Sequence, residues 1–169
     1  KNSIFYFFEY LKNEKILLLI DQNLKNSKIV NNLITKLKYN KKNFIKYYIK
    51  LNHEPTYEYL NIVKKKFINS KVEIIISIGG GSTIDFSKGL GLLLRNKGNS
   101  ENYMGFPKNL NTPVPVIAIP STFNTGSEVV FNAVFTSIKQ KKKLGINYNK
   151  NFPILSILEP RFISNSPKK

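Results

Sequence analysis

The chain has 169 residues, is 41% hydrophobic and contains no cysteine, so it is long enough for one buried core but offers no disulfide framework and no thiolate metal site. Its formal net charge of +17 is spread along the whole sequence, almost all of it lysine, and no zinc-finger spacing, basic zipper or aromatic RNA-binding signature accompanies it, so no specific nucleic-acid partner is expected. The most apolar early run, Lys15 to Ile20, is far too short to span a bilayer and no cleavable signal segment stands at the start, so a cytoplasmic location without a membrane partner is expected.

In chain order, Ser3 to Leu11 is apolar on more than one face and predicts a buried short helix. Lys15 to Asp21, "KILLLID", is a continuous apolar run of strand length, as found in parallel strands covered on both faces. "QNLKNSKIVNNLITKLK" places Ile29, Leu33, Ile34 and Leu37 at helical spacing. Asn43 to Ile49 predicts a second strand, and "EPTYEYLNIVKKKFINS" a second helix opened by Pro55, with Tyr59, Leu60, Val63 and Phe67 on its apolar side. Val72 to Ile78 predicts a third strand and Thr83 to Leu94 a third helix. A long loop marked by Gly98, Gly105, Pro107 and Pro113 leads to a strand at Val116 to Ile119. Val130 to Ile138 and Lys143 to Ile146 predict a hairpin, and Pro153 to Glu159 a last short strand. Alternating strands and helices at this spacing predict right-handed crossovers. The expected fold is one α/β domain over residues 1–169, Rossmann-like, with a mostly parallel sheet, helices on both faces and an added β-hairpin.

Two stretches carry chemistry. In "ISIGGGSTIDFSK", Gly79, Gly80 and Gly81 follow a strand and Ser82 opens a helix. The first amides of a helix have no internal partner and sit at the positive end of its dipole, so an anion belongs there, and three missing side chains let a diphosphate approach the main chain. The alternative is a tight turn with Ser82 as N-cap and Asp85 completing a variant capping box. The second stretch, "PSTFNTGSE", follows the Val116 strand and gathers Ser121, Thr122, Asn124, Thr125 and Ser127 around Gly126, either to bind phosphate or ribose or as a self-capped surface loop. Both fall at the carboxyl ends of strands, where ligand crevices of open α/β sheets lie. Asp21 ends the first strand, placed to accept from an adenosine ribose hydroxyl or to cap a helix. Lys143 either reaches a phosphate or belongs to a solvated basic turn with Lys141 and Lys142. Asp85 and Lys88 stand one turn apart as an ordinary helical ion pair. His53, the single histidine, can build neither a histidine metal site nor a catalytic triad unaided.

The two stretches together resemble the iron-dependent, or group III, alcohol dehydrogenases. "GGGSTIDFSKG" is similar to that family's Gly-Gly-Gly-Ser-x-x-Asp-x-x-Lys, and "PVIAIPSTFNTGSEV" to its Ile-Pro-Thr-Thr-x-Gly-Thr-Gly-Ser-Glu-Val. "NHEPTYEYL", "KKKLGI" and "PILSILEP" follow in the family's order, and the likeness runs from about Lys15 onward. The resemblance implies NAD or NADP with its diphosphate on Gly79, Gly80, Gly81 and Ser82, its adenine end near Ser121, Thr122 and Thr125, and Asp21 at the adenosine ribose. It further implies that Lys143 contacts the cofactor beside Val134. Departures are Phe123 for a small residue, Asn124 for a glycine, Val130 for a threonine and Glu54 for an asparagine before proline.

Family members also carry a helical domain that supplies an aspartate and three histidines to iron or another divalent metal, and those ligands are not expected within these residues. The resemblance therefore implies an alcohol dehydrogenase that interconverts small alcohols and aldehydes by hydride transfer, with little turnover expected of this stretch alone. A non-catalytic nucleotide-binding or interaction module is the alternative. An apolar face toward a missing domain would favour dimerisation of the isolated chain.

Overall fold

In this computed structural model, which describes residue 8 and residues 11–51, 54–123 and 125–163, β1 (Ile16–Asp21), β2 (Phe44–Ile49), β3 (Ile74–Gly79), β4 (Val116–Pro120) and β7 (Leu155–Ser156) form a parallel sheet in the order β2-β1-β3-β4-β7. The crossovers are α1 (Lys28–Tyr39), α2 (Tyr57–Phe67) and α3 (Gly81–Arg95). Most of the expected Ser3 to Leu11 helix, together with His53 and Asn124, lies outside the described residues. Among the described residues no helix is long and apolar enough to cross a membrane.

The uniform apolar run of β1 divides between two cores, because successive side chains of a strand point to opposite faces. Leu17 and Leu19 join Tyr57, Leu60 and Val63 of α2 and Phe86 and Leu90 of α3. Ile16, Leu18 and Ile20 join Val30, Leu33, Ile34 and Leu37 of α1, whose spacing is one helical stripe. Helix α2 starts where Thr56 Oγ1 accepts from the Tyr59 amide at 3.1 Å, an N-cap the sequence places just after Pro55.

The hairpin β5 (Asn132–Ser137) and β6 (Lys142–Asn147) lies over α3, on the opposite side from the sheet. Phe135 reaches inward between Tyr57 and Phe86, with ring centroids 5.2 and 6.4 Å away. A Cβ on Gly89 would stand 2.5 Å from Phe135 Cζ, so glycine there makes room for the ring. Helix α3 is thereby sandwiched, and every residue from Thr83 to Leu93 is buried.

Several expected boundaries shift. The helix expected from Gln22 opens instead with a 3-10 turn at Gln22–Leu24, and α1 starts after Ser27. The last strand, expected over Pro153 to Glu159, pairs with β4 only at Leu155 and Ser156, and Pro160 opens a short helix, α4 (Pro160–Ile163). Proline suits a helix start, since its missing N–H is needed by no helical acceptor there.

Candidate functional site

The junction of β3 and α3 lies at the carboxyl edge of the sheet. Gly80 is the N-cap in extended conformation, with no side-chain cap bond, and the helix begins at Gly81. The capping-box alternative is thereby overturned: Ser82 lies inside the helix, and the Asp85 carboxylate turns away to accept from the Val134 amide at 3.0 Å. The Thr83 and Ile84 amides donate to the Gly80 carbonyl at 3.0 and 3.1 Å. The Gly81 and Ser82 amides precede the first amide that finds an intrahelical acceptor and sit at the positive end of a 15-residue helix. Ser77 and Ser87 hydroxyls, 2.8 Å apart in the core and both within reach of the Thr83 carbonyl, tie this first turn to β3.

The hydroxyl-rich loop after β4 packs directly onto the glycines. Gly79 faces Pro120 in the β3–β4 register, and the Ser121 amide donates to the Gly79 carbonyl at 2.9 Å. A Cβ on Gly81 would lie 2.8 Å from Thr125 Cβ, and one on Gly79 would lie 2.7 Å from Thr83 Cβ. Packing within the chain thus requires glycine at both positions, a reason that adds to close approach by a ligand. Gly80 is less confined, its nearest neighbour being Thr122 Oγ1 at 3.2 Å.

Two clefts flank this loop. One, of about 300 Å³, is lined by Gly81, Ser82, Thr125, Val134 and Lys143, together with Glu54, Asp85, Ser127 and Asn132. The other, of about 650 Å³ and mostly apolar, is lined by Thr122, Phe123, Pro120, Gly126, Leu158 and Pro160, with Glu128 as its one charged residue. The structure therefore brings Gly81, Ser82, Thr125, Val134 and Lys143 into one cleft and Thr122 into the second, with Gly79, Gly80 and Ser121 in the backbone between them. Asp21 enters neither cleft. The pairing of Ile20 with Ile78 sets it level with Gly79, and its Oδ1 accepts from the Asn23 amide at 2.9 Å, the capping alternative. A further cleft of about 610 Å³, lined by Lys15, Asn43, Lys71 and Glu73, lies at the opposite, amino-terminal edge of the strands, away from both loops.

Lys143 is not a freely solvated turn residue: it is ion-paired to Glu54, which lies in the same cleft. That ammonium holds the Glu54 carboxyl below the usual carboxylate range.

Lys88 is the residue whose part the sequence conceals. The expected helical ion pair with Asp85 is present, at 2.9 Å from Asp85 Oδ1, but the ammonium is fully buried and also donates to the carbonyls of Ser127, Val130 and Asn132 at 3.0, 3.3 and 2.6 Å. Burial pushes this ammonium below the usual lysine range, and Asp85 opposes the shift. The pair bolts the segment from Ser127 to Asn132, one wall of the smaller cleft, onto α3. A signal for this existed: "IDFSKGL" is apolar all round the pair, which marks a helix covered on every side.

Residues 1–160 match the model of a family described as iron-containing alcohol dehydrogenase. The NAD-dependent methanol dehydrogenase of Bacillus methanolicus is 35% identical over 101 residues, which are 60% of this chain and 26% of that protein. A crystal structure of 1,3-propanediol oxidoreductase superposes with a TM-score of 0.87 at 26% identity, over 98% of this chain and 44% of the other. The sulfoacetaldehyde reductase of Bifidobacterium kashiwanohense, solved in complex with NAD+, shares the fold, with a TM-score of 0.85 at 23% identity over 98% of this chain and 43% of the other. The chain thus spans about a quarter of the length of the curated relative and under half of each solved chain.

Proposed function

The chain belongs to the iron-containing alcohol dehydrogenase family, and from that membership we propose that it is the nicotinamide-dinucleotide-binding part of an NAD-dependent alcohol dehydrogenase acting on a small alcohol or aldehyde. One observation carries the proposal: the unpaired first-turn amides of Gly81 and Ser82 open onto a cleft that also holds a lysine, Lys143. Backbone N–H groups at a helix start suit a diphosphate, which needs several donors and a positive field at once. The amides of Gly79 to Ser82 hold the diphosphate with Thr125 beside them, and the mostly apolar cleft of Thr122 and Phe123, next to Ser121, takes the adenine. Val134 and Lys143 border the nicotinamide side. Asp21, at the end of β1, meets the adenosine ribose and disfavours the extra phosphate of NADP.

Bound NAD supplies a ring that accepts or returns hydride. The chain's own contribution is to hold the dinucleotide against α3 and keep its diphosphate in place. Among the described residues no three His, Cys, Asp or Glu side chains gather as a metal site, so the iron of the family's name does not fit them. The same proposal places the protein in the cytoplasm. Exposed Val129, Ile154, Leu155 and Leu158 near the free edge of β7 support self-association as a homodimer.

Titration with NADH, followed by the fluorescence of the reduced ring, tests the reading. Saturable binding is expected with a dissociation constant between about 1 μM and 1 mM, or roughly −8 to −4 kcal/mol. No saturable signal at millimolar NADH would end it.

A further inference from the structure

Glu54 and Lys143 come from distant parts of the chain and meet in the cleft that Gly81 and Ser82 open onto. The backbone fixes both. The Thr136 amide donates to the Pro55 carbonyl at 2.9 Å, which presses the residue after Glu54 against β5, and Thr136 stands opposite Lys143 in the hairpin register. One Glu54 oxygen accepts from the Lys143 ammonium, and the other accepts from the Thr136 hydroxyl at 3.2 Å. Both side chains remain about half exposed, at 57% for Lys143 and 48% for Glu54, so the pair adds little to the stability of the fold. It nonetheless dictates the charge of the cleft. The amides and the lysine attract an anion, whereas the carboxylate repels one and takes one of the lysine's three donors.

We infer that Glu54 competes with the phosphates of the cofactor for Lys143 and so lowers the affinity of this chain for a dinucleotide. The inference rests on the reading of the cleft as a dinucleotide site. An anion reaching Lys143 meets the Glu54 carboxylate already on the same ammonium, and the repulsion between the two anions must be set against the bond that forms. Glutamine at position 54 keeps the shape and an acceptor for Thr136 but gives up the charge.

The test is NADH affinity for the unaltered protein, E54Q, K143M and E54Q/K143M at low ionic strength, with inorganic pyrophosphate as a second probe measured by calorimetry. Circular dichroism melts check that each variant folds. E54Q is expected to bind both probes about two- to fivefold more tightly, the range an exposed ion pair supplies, and this gain is expected to vanish when Lys143 is replaced. Equal or weaker binding by E54Q, or a gain that persists in K143M, overturns the inference. Tighter pyrophosphate binding by E54Q in a protein that ignores NADH keeps the role of Glu54 and removes the dinucleotide reading. Failure of every variant to bind either probe overturns both.

Discussion

Replacing Lys88 with methionine keeps most of the side-chain volume and deletes the ammonium. In the folded chain that buried group satisfies three carbonyls, one of them fully buried, and neutralises Asp85. Taking one partner from a buried ion pair costs about 3–5 kcal/mol, because the remaining charge stays desolvated without its counterion. Some of the released carbonyls are only partly buried and regain water, so the lower half of that range is favoured. For a chain of this length each kcal/mol lowers the melting temperature by about 2–4 °C, so a fall of roughly 6–16 °C is expected. Urea and thermal unfolding, followed by far-ultraviolet circular dichroism, measure it. The double variant D85N/K88M should recover at least half of the loss, since it leaves no unpaired charge while the carboxamide oxygen at position 85 still accepts from the Val134 amide. A K88M protein within about 1 kcal/mol of the original, or a double variant no better than the single one, would refute this account.

Further expectations are more local. Gly80→Asp should fold normally, because its Cβ would meet the Thr122 side chain no nearer than 3.2 Å, a contact that a shift of a few tenths of an ångström relieves, yet it should weaken NADH at least tenfold by placing a carboxylate where the proposed diphosphate would lie; unchanged affinity would contradict the assignment. Gly91→Ala should cost about 1–3 kcal/mol in urea unfolding, since its Cβ would stand 2.6 Å from the Val114 carbonyl, a backbone atom that cannot swing aside; an unchanged midpoint would show that this packing relaxes freely. The Arg161 guanidinium holds the Glu159 carboxyl, and the Lys143 ammonium the Glu54 carboxyl, below the ordinary value of 4.5. Depressed carboxyls stabilise the fold fully above that value and lose the effect as pH falls through their lower folded values, so the melting temperature should drop only below about pH 4.5. E159Q should flatten part of the drop, and a melting temperature that rises on acidification would reverse the argument.

What could be read in the sequence was whatever depends on local periodicity. The run from Ile16 to Ile20 had to be a strand covered on both faces, and the spacing of Leu33, Ile34 and Leu37 had to be one helical stripe. The two loops at the carboxyl edge followed from strand order and glycine content alone. What escaped depends on contacts far apart in the chain. Nothing near Gly81 announces that Thr125 packs against it, and Asp85 as a local capping group was a sound expectation until β5 offered the Val134 amide. The ion pair of Glu54 and Lys143 joins residues 89 apart, and it exists because β5 draws Pro55 alongside Thr136. The last strand shrank to two residues for a simpler reason: Pro160 turns the chain into a new helix.

Helix α3 has cover from one end of its middle to the other, from Thr83 to Leu93, and such a rod cannot rock or slide without tearing apart the core it shares with α2 and the hairpin. Its positive tip is therefore aimed before any guest arrives. Docking an anion there would demand no rearrangement of the helix, only the expulsion of water, and backbone hydrogen exchange deep in the helix should slow with cofactor by no more than the overall stabilisation that binding supplies.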